Sequence, residues 1–174
     1  SERPDWPWFE SRMTYANAVL PQAMFIAAER WPEEGFLDVA KASFAFLDRT
    51  TTVEKVFWPV GNRDWYPHGE AKSPYDQQPV EAATMADAAL AAFGLLGEEQ
   101  YRAAFRRAHA WFFGHNSLRQ PLVEIQAGAC CDGLQPSGLN RNQGAESTLA
   151  YLWAELLHRE SCQLPDVSCQ FKKA

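Results

Sequence analysis

Residues 138–157, GLNRNQGAESTLAYLWAELL, crowd Asn140, Arg141, Asn142, Gln143, Glu146 and Ser147 ahead of an otherwise apolar helix. One side-chain acceptor is enough to cap a helix. The surplus points to a polar pocket built from the helix entrance and its loop. Three more clusters share this character. DWPWFESRMTYAN holds Trp6, Trp8, Glu10, Thr14, Tyr15 and Asn17; DWYPHGE supplies Trp65, Tyr66 and His68; YDQQPVEA puts Asp76, Gln77, Gln78 and Glu81 at a helix entrance. Carboxylates and carboxamides satisfy hydroxyls pairwise, and Trp and Tyr offer a broad apolar face with one polar handle. Together these are the groups of a sugar site. Two acids on one face would also suit acid–base or nucleophilic cleavage of a glycosidic bond.

The catalytic candidates are therefore Glu10, Asp76, Glu81, Asp132 and Glu146. The substrate-binding candidates are Trp6, Trp8, Asn17, Trp65, Tyr66, Gln78, Asn140, Asn142 and Gln143. Asn142 is expected to cap the last helix, with Asn140, Gln143 and Glu146 lining a cleft that faces Trp8, Trp65 and Asp76. Each residue also has a plainer role available: Asn142, Asp76 and Gln78 as turn or cap residues, Trp6 and Trp8 as core anchors, Glu10 as a solvated acid beside Arg12.

The composition narrows the alternatives. The chain has 174 residues, 47% of them hydrophobic, and a net charge of −6, which argues against a nucleic-acid partner because Lys and Arg gather into no stripe. No glycine-rich phosphate loop or strand–helix alternation is present, so a nucleotide-sugar transferase acting alone is disfavoured. No apolar run approaches the roughly 20 residues of a membrane span. The start, SERPDWPWFE, lacks the basic and apolar regions of a signal peptide, and opening at Ser1 reads as an excised domain or a processed product. The expected location is cytoplasmic. Cys130, Cys131, Cys162 and Cys169 form no C-x-x-C pair and read as reduced thiols, with a Cys162–Cys169 disulfide as the competing arrangement. His68, His109, His115 and His158 show no metal-binding spacing. Neither a metal nor a cofactor is expected.

Five helices must position these groups. NAVLPQAMFIAAERW places Leu20, Met24, Ala27 and Ala28 on one side. EEGFLDVAKASFAFLDR repeats Phe36, Leu37, Ala40, Phe44 and Leu47 along a stripe. A third helix starts at Pro79 and stops near Gly94 or Gly97. The fourth, EEQYRAAFRRAHAWFFG, aligns Tyr101, Ala104, Phe105, Ala108 and Phe112. The last is expected to turn Leu149, Leu152, Trp153 and Leu156 inward. Period-2 alternation is nearly absent, so the chain reads as all-α, with Gly35 and Gly97 turning helical hairpins. The long connections, about 53–78 and 114–143, are too aromatic for disorder and should pack over the domain.

DWPWFESRMTYANAVLPQAM, DQQPVEAATMADAA and GLNRNQGAESTLAYLWA resemble blocks of an (α/α) toroid domain of the six-hairpin glycosidase-like superfamily. The variety they resemble is found in bacterial proteins named as group 1 glycosyltransferases, and the resemblance covers residues 5 to about 158. It implies one domain over residues 1–174, a partial toroid of helical hairpins with a carbohydrate cleft at one end. It further implies a possible transferase domain elsewhere in the parent chain. It assigns no catalytic pair to particular residues here.

Overall fold

The computed structural model describes residues 5–162. The five helices are α1 (Val19–Arg30), α2 (Phe36–Thr50), α3 (Pro79–Leu96), α4 (Glu99–Trp111) and α5 (Ala145–Ser161). Before and between them run eight short strands: β1 (Arg12–Met13), β2 (Thr52–Val53), β3 (Val56–Phe57), β4 (Tyr66–Pro67), β5 (Val123–Glu124), β6 (Ala129–Cys130), β7 (Gly133–Gln135) and β8 (Gly138–Asn140). They pair antiparallel as β1–β4, β2–β3, β5–β6 and β7–β8. The all-α reading is thus corrected: this is a mixed α/β protein and not a helical toroid. The ribbons escape sequence inspection because two or three residues are too few to display alternation.

Helix α3 is the centre. Pro79 occupies its first turn, where a missing N–H costs nothing. Gly97 ends it at φ +68°, its N–H bonding the Phe93 carbonyl, a left-handed cap that favours glycine. Ten of its 18 residues are buried, most of them alanines, and α1, α4 and α5 all pack on it. By length and hydropathy α3 would also qualify to cross a membrane; here it is the helix around which the others are arranged. Aromatic rings fill the space beside it, with Phe25, Phe44 and Tyr101 meeting edge to face and Trp111 and Phe112 fully buried.

The inward face of α5 differs from expectation. Ser147, Ala150, Tyr151, Ala154 and Leu157 are buried, while Leu149, Leu152, Trp153 and Leu156 are between 42% and 65% exposed. Both sets have helical spacing. Small side chains on α5 meet the alanine-rich α3, and small-to-small contact lets two helices approach closely, so the bulky stripe is left outside.

Candidate functional site

The long loop before α3 and the β7–β8 ribbon are fastened together backbone to backbone. Gln77 N–H donates to the Leu134 carbonyl at 2.9 Å, and Leu134 N–H returns a bond to the Gln77 carbonyl at 2.9 Å. The Gln77 side chain, wholly buried, donates to the Pro74 carbonyl and to Ser117 Oγ and accepts from the indole of Trp111. Gly133 permits this closeness, and Gly61 permits the loop before α3 to fold back on itself. A Cβ on Gly133 would lie 2.2 Å from the Gln77 carbonyl oxygen, and one on Gly61 would lie 2.2 Å from that of Tyr75.

Above this junction lies an open cleft of about 370 Å³, lined by Asp76, Gln78, Asp132, Asn140 and Glu146 among others. Its lining contains no Lys, Arg or His. Three elements supply it: the loop before α3, the β7–β8 ribbon and the first turn of α5.

The α5 entrance is held by a residue from outside the helix. Gly144 occupies the N-cap position and offers no side chain; Asp132 Oδ1 accepts its N–H at 2.8 Å instead. Asn142 Nδ2 donates to the other oxygen of Asp132. The expected cap is thereby corrected: Asn142 fixes the carboxylate that does the capping. Burial pushes the Asp132 carboxyl up, but hydrogen bonds from Asn142, the Gly144 amide and Ser147 outweigh it and hold the group below the usual carboxylate range. A Cβ on Gly144 would meet Asp132 Oδ1 at 2.9 Å, so a larger residue there would push the carboxylate out of its place. Asp132 is therefore an ionised anchor. Glu146, the second residue of α5, is exposed and accepts the Tyr15 hydroxyl at 2.7 Å.

No protein-family model matches this chain, and no curated protein matches it.

Of the sequence candidates, the fold brings Asp76, Gln78, Asp132, Asn140 and Glu146 to the cleft, while Asn142 stands behind Asp132. Asp76 is half-buried, with Arg63 Nη2 3.5 Å away. The others lie elsewhere. Trp6 and Trp8 are core residues, 3% and 5% exposed; Trp6 packs edge-on against Phe46 and Tyr66 and donates its N–H to the Glu10 carbonyl. Trp65 and Tyr66 are half-buried against the same core. Glu10 is exposed and does not line the cleft, and Gln143 reaches out to Glu124 at 3.3 Å. The predicted facing of Trp8 and Trp65 onto the cleft is thus replaced by burial, because large flat rings are worth most to the core.

Glu81 and Asn17 are buried together beneath the turn before α1. Glu81 accepts from Ala16 N–H at 2.5 Å, Asn17 N–H at 3.4 Å and Asn17 Nδ2 at 3.1 Å. Burial pushes its carboxyl up to about 7, against the downward pull of the Asn17 side chain and the two amides. Two contributors are missing from the sequence candidates: Gln77, which builds the floor, and Tyr15, whose hydroxyl reaches Glu146. The sequence does place Tyr15 in a polar aromatic cluster, but nothing in the spacing signals a bond 131 residues away. Cys130 and Cys131 are buried free thiols, and burial, then the charges of Cys131 and Asp132, push Cys130 up to about 12. The Cys162–Cys169 pairing lies outside the described residues.

Proposed function

We propose that this domain is carbohydrate-active and binds a glycan in the cleft at the α5 entrance, in a parent chain that also carries a glycosyltransferase domain. The observation that carries this reading is the convergence of Asp76, Gln78, Asp132, Asn140 and Glu146 on one open cleft. Hydroxyl-rich ligands need such alternating acceptors and donors, and a lining without cations gives no reason to favour phosphate or carboxylate ligands. Two of the three sequence blocks with the glycosidase-like resemblance supply residues to this cleft. Tryptophan-fluorescence and calorimetric titration against neutral oligosaccharides tests the reading. Saturable binding that Asn140→Ala weakens at least tenfold, with unchanged melting, supports it; no response across the panel overturns it. If the bound glycan is also cleaved, Glu146→Gln removes cleavage and keeps binding, because the amide preserves shape and loses the proton chemistry.

A second reading, a scaffold domain that packs against the transferase domain, is favoured by the exposed Leu149, Leu152, Trp153 and Leu156 stripe on α5. Under it, Leu152→Lys would disrupt the parent protein's domain packing, and the oligosaccharide panel would give no response.

A further inference from the structure

The cleft lining contains no aromatic side chain, although stacking on a ring is a common way to hold a sugar face. Tyr15 stands beside it. The residue is 47% exposed, yet it is tied at both ends. The hydroxyl donates to Glu146 Oε2 at 2.7 Å, and Glu146 lines the cleft. The backbone of its turn is pinned from below. Asn17 Oδ1 accepts Thr14 N–H at 2.9 Å, and Asn17 Nδ2 donates to the Thr14 carbonyl at 2.8 Å. Ala16, immediately after the tyrosine, is at φ +49°, a left-handed conformation that costs a non-glycine residue about 1 kcal/mol and persists only where its surroundings enforce it.

Those surroundings are Glu81. A carboxylate at 5% exposure is costly to bury, and this one is spent on the turn, accepting from Ala16 N–H, Asn17 N–H and Asn17 Nδ2. Asn17 in turn holds Thr14, so the network closes around Tyr15 on both sides. An exposed aromatic fixed in this way loses little freedom when a ligand docks on it, which is the advantage of preorganisation.

We propose that Tyr15 is the sugar-contacting aromatic wall of the cleft and that the buried Glu81, acting through the amides of Ala16 and Asn17, is the residue that positions it. The inference rests on the glycan-binding reading and adds to it one contact residue and one positioning residue. Tyr15 acts with Glu146: the ring covers an apolar sugar face while the carboxylate, oriented by the phenol, accepts from a hydroxyl. Glu81 touches no ligand.

The test uses the whole chain in two measurements. The first is titration with mannohexaose, maltohexaose, cellohexaose and chitohexaose. Wild-type binding to one of them, reduced at least tenfold in Tyr15→Ala and less than about threefold in Tyr15→Phe, which keeps the ring, supports the contact. Binding that Tyr15→Ala leaves intact overturns the inference while the cleft reading stands. Binding of none of the four by the wild type overturns both. The second measurement needs no ligand. With 3-fluorotyrosine in place of the five tyrosines, the Tyr15 fluorine resonance is assigned by its loss in Tyr15→Phe. Glu81→Gln, which turns an acceptor into a donor facing two N–H groups, is expected to shift or broaden that resonance alone. A spectrum in which Tyr15 does not respond, or in which all five signals move together, overturns the positioning role. Should Glu81→Gln fail to fold, Asn17→Ala breaks the same network from the other side and is read in the same way.

Discussion

Two helix entrances in this protein are each organised by a carboxylate from elsewhere in the chain, and the two carboxylates behave oppositely. At α5, Asp132 accepts the Gly144 amide in a solvent-facing cleft, and its hydrogen bonds hold it ionised. Before α1, Glu81 accepts the Ala16 and Asn17 amides in the interior, and its burial raises it to about 7. Donor chemistry is nearly the same in both places. What differs is access to water: desolvation is the first influence on each group, and only at Asp132, which is half-buried, do the hydrogen bonds overcome it. A similar capping network therefore stabilises one region at neutral pH and leaves the other close to its titration midpoint.

The comparison can be broken most forcefully at the junction beneath the α5 entrance. Gly133→Ala places a Cβ 2.2 Å from the Gln77 carbonyl, against backbone that cannot give way cheaply. A loss of about 3 kcal/mol, at the upper end for overpacking, is expected in urea unfolding, and an unchanged midpoint would mean that the ribbon and loop are not fastened as described.

Next comes the pH dependence of Glu81. Its folded value is raised from 4.5 to about 7, so its contribution to stability is fully present below the unfolded value and is lost as pH rises through the folded one. Between pH 4.5 and 8 this amounts to roughly 3 kcal/mol at most. Chemical denaturation across that window should show the decline in wild type and lose it in Glu81→Gln; a Glu81→Gln variant with the same slope would assign the titration to another group.

Asp132 provides the opposite sign at smaller size. Its folded value is depressed, so its contribution is present above the unfolded value and is lost as pH falls through the folded one. Asp132→Ala should cost about 1 kcal/mol at pH 7, the usual effect of losing an N-cap acceptor, and progressively less as acid titrates the folded carboxyl. The smallest effect is expected on the outer side of α5. Leu156 is 58% exposed, so Leu156→Lys should change stability by less than about 0.5 kcal/mol; a larger loss in thermal unfolding would show that the stripe packs against something within this chain.

Much of the scaffold was readable from residue order. Pro79 and Gly97 mark the ends of α3, Gly35 separates α1 from α2, and the polar run at 140–147 announces a helix entrance with more hydrogen-bonding groups than a cap requires. Five of the candidate residues meet in one cleft. The ribbons were not readable, because a two-residue strand is defined by its partner and not by its own pattern. The inward face of α5 was misread for a related reason. Two stripes have helical spacing, and choosing the one with larger side chains ignores that α3 presents alanines to it.

The sequence by itself determined where helices begin and end and which segments concentrate carboxylates, carboxamides and aromatic rings, since propensity, capping and local composition act over a few residues. Only the tertiary structure decided which of those groups share a cleft. It buried Trp6, Trp8 and Glu81, assigned the α5 cap to Asp132, and set Tyr15 against Glu146. Those outcomes depend on desolvation and on contacts between residues far apart in the chain, and neither quantity exists until the helices have packed.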